Sequence, residues 1–339
     1  MDARKKDSGR RPPTMKDIAD ELGISASTVS RILSGKIGAR KGELVTKVKD
    51  AAKRLNFQTN SVARSLRTSK TQLIGIIVPN IGDDYFARVL AGIEEVANGH
   101  GYNLIICQSN ESVEKERQLI QTLSAINVEG ILISPSAQTT DMDYLERAEA
   151  NGIEVVIFDR VFSHTKFANI GYQDFHDAFE LGTYLIKTGC ERMLYVGISE
   201  SLLNDGERLR GYNRALEKED LTPCDTLFVQ DIFKAQERLK LGLAELPYDC
   251  IVCYNDMVAV EVLNFLEAKG KRVPQDISVC GFDNRAICEY TTPKLTSVDH
   301  SMGKMGKLAA KALFDRLIKD EEAGSVRLVG KLVVRESTR

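Results

Sequence analysis

The chain of 339 residues has no Trp, only 4 His and 8 Pro, and 7 Cys, an odd number. The missing Trp excludes nothing. No apolar run approaches the ~18 residues of a membrane span. The basic N-terminal stretch MDARKKDSGRRPP has no apolar segment behind it, which argues against a secretory signal and for the cytoplasm. Scattered cysteines in such a chain read as reduced thiols. Cys250 and Cys253 form a CxxC, but in the strand-like run DCIVCYND they would face opposite ways. With no second pair, a metal site is not expected.

Catalytic patterns are missing too. There is no G-x-G-x-x-G after the first strand and no P-loop. GISES at Gly197 to Ser201 lacks the closing glycine of a nucleophile elbow. His100 ends a helix, where its charge is favourable, and His176 starts one, with no triad around either. Asp159 and Asp283 could form an acid and base pair, but nothing else supports an enzyme. None is expected, and no cofactor.

What is present begins with Thr14 to Leu33, TMKDIADELGISASTVSRIL. Ile18, Ala19 and Leu22 share one helical face. Gly23, lacking a Cβ, suits a sharp turn. Ser25 offers a cap for a second helix carrying Val29, Ile32 and Leu33. That helix leaves Ala26, Ser27, Ser30 and Arg31 on its polar side, a form suited to a major groove. A three-helix core that binds nothing is the plain alternative. Charge decides between them. Residues 1 to 70 hold 17 Lys or Arg against 7 Asp or Glu, a net of +10, and the remainder carries −12. A basic head on an acidic body seeks a polyanion. Nucleic acid and an anionic membrane fit that charge equally, and the helix-turn-helix pattern selects DNA.

A third helix is expected over Glu43 to Leu55, with Leu44, Val45, Val48, Ala51, Ala52 and Leu55 inward and Phe57 closing the core. Ser61 to Arg67 has room for two helical turns with Val62, Ala63 and Leu66 on one side, too short to be stable alone. An ordinary linker is the alternative.

From Leu73 strands and helices alternate. Strands are expected at LIGIIVP, NLIICQS, GILISP, EVVIFDR and the short FANI, with helices at Tyr85 to Gly99, Val113 to Ile126 and Asp141 to Asn151. The pattern restarts with helices at Asp174 to Thr188, Asp205 to Glu219, Lys234 to Leu243, Asp256 to Gly270 and Met302 to Lys319. Its strands are RMLYVG, TLFVQ, CIVCYND, ISVCGFDN and TSVDH. VRLVGKLVVRE gives a final pair of strands or one bent strand. Repeated βα units mean parallel sheets covered by helices, and two such halves imply a cleft at the strand ends. There lie Asp159, Asn255 and Asp283, with Arg208 starting a helix and Tyr85 and Phe86 after the first strand. Carboxylates and an Arg that fork hydroxyls, plus exposed rings, suit a polyol or sugar. Any single Asp or Asn could equally be a helix cap or turn residue.

These residues resemble the LacI/GalR family of bacterial transcriptional repressors over almost the whole span from Thr14 to Arg339. The resemblance rests on TMKDIADELGISASTVSRILSG, NSVARSLR, the aromatic pair in DDYFA, the FDR ending at Arg160, RLRGY, YNDMVA, and VPQDISVCGFDN with TTPKLTSV. It implies an α-helical helix-turn-helix headpiece plus hinge, joined to a two-lobed α/β periplasmic-binding-protein-like domain. The divisions would be a flexible basic tail at 1–13, headpiece at 14–58, linker with hinge helix at 59–71, and effector-binding and dimerisation domain at 72–339. Ala26, Ser27 and Arg31 would face base edges of a palindromic operator. Thr28, Ser30 and Asn60 would contact its backbone, and Ala63 and Leu66 of the hinge its minor groove. A sugar-like effector would meet Tyr85, Phe86, Asp159, Arg208, Asn255 and Asp283. Its binding would close the cleft and rotate the N-terminal halves of a homodimer.

The chain departs from the family pattern in places. Thr59 replaces the usual Pro before the hinge Asn, ARKGELV replaces the usual run before helix three, and Gln173-Asp174 stands for a common Asp-Asn pair. No tetramerisation helix follows LVVREST, so a dimer is expected. A purine-responsive repressor and a carbon-catabolite regulator controlled by a protein partner share the fold. A sugar-binding transport protein is disfavoured by the basic head.

Overall fold

The computed structural model describes residues 13–33, 42–57, 70–160, 165–230, 235–242, 246–319 and 324–339, with 162 and 321. It separates into two compact units, 1–71 and 72–339.

The first unit contains three described helices, α1 (Met15–Leu22), α2 (Ala26–Leu33) and α3 (Gly42–Arg54). A reciprocal cap starts α1: the Thr14 backbone donates to Asp17 at 2.7 Å, and the Asp17 backbone donates to the Thr14 hydroxyl at 3.4 Å. Gly23, at φ +64°, ends it. The Ser25 hydroxyl accepts from the Thr28 backbone at 3.2 Å and starts α2. Ile18, Ala19, Val29, Ile32, Val48, Ala51 and Ala52 form the core, as the periodicity predicts.

The second unit has two lobes with matching six-stranded sheets. In the first, β1 (Leu73–Val78), β2 (Asn103–Gln108), β3 (Gly130–Ile133), β4 (Glu154–Asp159), β5 (Ala168–Tyr172) and β11 (Val326–Leu328) lie in the order β11-β5-β4-β3-β1-β2. In the second, β6 (Met193–Gly197), β7 (Asp225–Phe228), β8 (Cys250–Cys253), β9 (Ser278–Phe282), β10 (Thr296–Asp299) and β12 (Lys331–Val333) lie in the order β12-β10-β9-β8-β6-β7. Strand by strand, β4 thus corresponds to β9. The pairings are parallel, except that β12 runs antiparallel to β10. Cys253 enters one hydrophobic cluster of the second lobe and Cys250 the other, on opposite faces.

Helices α4 (Asp84–Gly99), α5 (Val113–Ala125) and α6 (Asp143–Ala150) belong to the first lobe. Helices α7 (Asp174–Lys187), α8 (Leu203–Lys218), α9 (Ala235–Gly242) and α10 (Asp256–Ala268) belong to the second. Helix α11 (Met302–Lys319) returns to the first lobe and packs on α4. A Cβ on Gly306 would stand 2.0 Å from the Val89 carbonyl oxygen, so only glycine permits that crossing. The final VRLVGKLVVRE is a pair of strands, one in each sheet. The chain therefore crosses between lobes three times, near 173, 300 and 329. The crossings are bonded together: Gln173 donates its backbone N–H to Leu328 at 2.8 Å, and Gly330 donates to Asp177 at 2.9 Å. His300 lies 3.3 Å from Asp177 and stacks on Tyr172 with ring centroids 3.9 Å apart.

Candidate DNA interface and effector cleft

On α2, Val29 and Ile32 are buried while Ala26, Ser27 and Arg31 face solvent and Thr28 and Ser30 are half-buried. One short helix thus separates its core face from a face of small side chains and one guanidinium. The Arg31 Nε donates to the Ser27 carbonyl at 3.3 Å, which lays the side chain back along α2. Positive charge in the same unit comes from Lys47, Lys49 and Lys53 on α3, Lys47 pairing with Glu43 at 2.8 Å, while Arg54 pairs with Glu21 and ties α3 to α1. The hinge residues Asn60, Ala63 and Leu66, and the loop residues Arg40 and Lys41, lie outside the described residues.

The cleft is built from equivalent places in the two lobes. Asp159 closes β4 at φ +68°, and Asp283 follows β9 at φ +97°. Both are non-glycine residues in the left-handed region, a conformation that costs energy and concentrates at functional sites. Asp159 accepts from the Tyr85 hydroxyl at 2.6 Å and the Ser134 hydroxyl at 3.1 Å. Burial pushes its carboxyl up from the ordinary value, opposed by the Arg160 charge and by the two hydroxyls. Asp283 accepts from the Arg285 Nε at 3.0 Å.

Arg160, Arg208 and Arg285 each already hold a carboxylate. Arg160 grips Glu111 with two bonds of 2.7 Å and donates to the Pro135 carbonyl at 2.8 Å. Arg208 donates from Nε to Asp174 at 2.8 Å and from Nη1 to the Tyr254 carbonyl, and stacks over Phe282 and Tyr254 at 4.4 and 4.8 Å. Arg285 spans Asp283 and Asp83, the latter at 2.6 Å. Burial works against the charge of Arg208, but Asp174 and other acidic neighbours outweigh it and hold the pKa above the ordinary value. Beneath the first lobe's wall, buried Glu116 accepts from Ser136, Thr139 and Tyr144. That pins the segment presenting Ser134 and Pro135.

Some expectations change. Tyr85 and Phe86, expected as exposed rings, are 7% and 6% exposed and pack edge to face in the first lobe's core. The Tyr85 hydroxyl, rather than an open ring face, reaches Asp159. Arg208 does not start its helix but sits in the second turn of α8, where it is buried against Asp174. Asn255 uses its Oδ1 to cap α10 at the Val258 backbone, 3.0 Å away, leaving its amide N–H groups to donate. Sequence reasoning missed Asp83, Asp174 as a partner of Arg208, Tyr172, Arg285 and His300. Ser134 was legible as the polar residue that follows the apolar strand β3, as Asp159 closes β4. Asp174 and the Asp83–Arg285 pair carry no such local signal, because Arg208 lies 34 residues from Asp174 and Asp83 lies 202 residues from Arg285.

A family profile described as bacterial regulatory proteins of the lacI family matches residues 14–60, and a periplasmic binding protein-like domain profile matches residues 183–338. The transcriptional repressor PurR of Edwardsiella ictaluri (strain 93-146) is 31% identical over 333 residues, 96% of each chain. A LacI family regulator from Enterococcus faecium solved with bound ribose is 25% identical at TM-score 0.70, over 78% of this chain and 98% of that one. The lac repressor dimer bound to operator and the anti-inducer ONPF has TM-score 0.84 at 22% identity, over 97% of this chain and 99% of that one, a likeness of fold. The chain belongs to the LacI/GalR family of bacterial transcriptional regulators. It is a DNA-binding transcriptional regulator with a helix-turn-helix headpiece and a periplasmic-binding-protein-like body. No described helix is long and apolar enough to cross a membrane.

Proposed function

We propose that this regulator is a homodimeric repressor of palindromic operators whose DNA affinity is set by a neutral sugar or polyol in the interlobe cleft. Ala26, Ser27 and Arg31 read bases, the guanidinium fork of Arg31 matching guanine O6 and N7. Thr28, Ser30 and Asn60 position the backbone, and Ala63 and Leu66 enter the minor groove. In the cleft, Asp159 and Asp283 take hydroxyls, Tyr85 and Phe86 shape the first-lobe wall, and Arg208 and Asn255 supply donors from the second lobe. The observation that carries the neutral class is the pairing of Arg160, Arg208 and Arg285 with Glu111, Asp174, Asp83 and Asp283. An anionic ligand would have to displace those carboxylates and then sit beside Asp159, a cost that a neutral polyol avoids. The ribose bound by the Enterococcus faecium relative agrees with that chemistry.

Calorimetric titration with neutral pentoses and hexoses, sugar acids, sugar phosphates and purines, with and without operator DNA, tests this reading. A neutral sugar that binds at micromolar concentration, with an affinity altered by DNA, is the expected result. Linkage then gives the sign of the coupling. Binding confined to sugar phosphates would overturn the neutral class. A purine hit would move the protein to the PurR-like reading. In the Asp283→Ala variant the sugar response should be lost while operator binding persists.

A further inference from the structure

Away from the three crossings, one ion pair among the described residues joins the lobes. Arg285, just beyond β9 in the second lobe, donates from Nη1 to Asp83 at the start of α4 in the first, at 2.6 Å. Exposed ion pairs contribute little, chiefly because two long side chains must be ordered to form them. Here the ordering is already done. The Arg285 backbone donates to Asp256 at 2.7 Å and its Nε donates to Asp283 at 3.0 Å, so the guanidinium is aimed before Asp83 arrives. Its side chain is 7% exposed, while that of Asp83 is 31% exposed. Asp83 is fixed as well, since its Oδ1 caps α4 at the Tyr85 backbone, 2.9 Å away. The asymmetry matters. If the lobes part, Arg285 keeps Asp283 and Asp83 returns to water, so separation strands no buried charge.

We propose that Arg285 is an interlobe latch, a positioning residue that holds the lobes together through Asp83 in the protein without ligand and releases them without leaving a buried ion unpaired. The latch sets how often the cleft opens, and a ligand's closing force adds to it. It concerns lobe closure alone, so it stands or falls independently of which ligand class binds.

The test is an interlobe distance distribution by electron–electron spin resonance on the full-length protein without ligand. Labels go on exposed Asn98→Cys in α4 and Glu217→Cys in α8, in a Cys107→Ser background, since the other six thiols are buried. Asp83→Ser deletes the charge but keeps a capping oxygen for α4, and Arg285→Gln removes the other partner. Both variants should populate longer distances several-fold more than the parent. At 1 M NaCl the parent should shift the same way, while Asp83→Ser should not respond, because screening acts on a pair it no longer has. Unchanged distances in both variants would overturn the latch. So would a shift in Arg285→Gln without one in Asp83→Ser, which would confine Arg285 to a role inside the second lobe.

Discussion

Arg31 is exposed on α2, donating to the Ser27 carbonyl but taking no part in the core. Arg31→Ala should leave thermal unfolding of the protein almost unchanged. It should weaken specific operator binding by ~1–3 kcal/mol, read by fluorescence anisotropy against a selected palindrome. Asp256 presents the opposite case, a carboxyl in the interior. It accepts from Ser297 at 2.6 Å and from the Arg285 backbone at 2.7 Å. Burial and the neighbouring Asp283 charge push its pKa up to about 7. A folded pKa above the unfolded one means the native state holds the proton longer. Its stabilising share is therefore full below the unfolded value near 4 and is lost as pH rises through about 7. Melting temperatures of Asp256→Asn and the parent, compared from pH 5 to pH 8, should show the parent losing more over that interval. At this scale the sequence was partly legible. Asp159 and Asp283 stood out because polar residues recur at the ends of several apolar strands, where any one alone would read as a cap or turn residue. Arg208 was visible but its burial was not, since its partner Asp174 lies 34 residues away.

At the scale of elements, the helices followed from periodicity because each buries one consistent face, and the central strands from short continuous apolar runs buried on both faces, as in β3 and β8. The misreading concerned ownership. VRLVGKLVVRE reads as one motif, yet β11 joins the first sheet and β12 the second, and no local pattern distinguishes a strand pair from a crossing. Helix α11 likewise follows the second lobe in sequence and completes the first. Its glycines give a test of opposite signs. Gly306→Ala gains ~1 kcal/mol of helix propensity, but its methyl would meet the Val89 carbonyl oxygen at 2.0 Å. Backbone must move, so net destabilisation of ~1–3 kcal/mol is expected in urea titration. Gly206→Ala in α8 meets nothing within 4 Å and should stabilise by ~0.5–1 kcal/mol in the same measurement.

For the whole molecule, a formal charge of −2 conceals +10 on residues 1 to 70. Operator affinity should therefore fall steeply with salt, with a log–log slope of about −0.9 for each phosphate neutralised. Removing one contact, as in Lys47→Ala, should reduce that slope by about 1 if the lysine reaches a phosphate. Filter binding between 50 and 300 mM salt would read both. The triple crossing has a consequence on the ribosome. During synthesis the headpiece leaves the exit tunnel before either lobe and has its described core complete by Phe57. The first lobe follows, but it lacks α11 and β11 until Leu328 has been made. The second lobe waits for β12, only a few residues later. Both halves of the sensor thus become whole at nearly the same moment. A nascent regulator has its reader of DNA long before it has the lobes that set how tightly that reader holds.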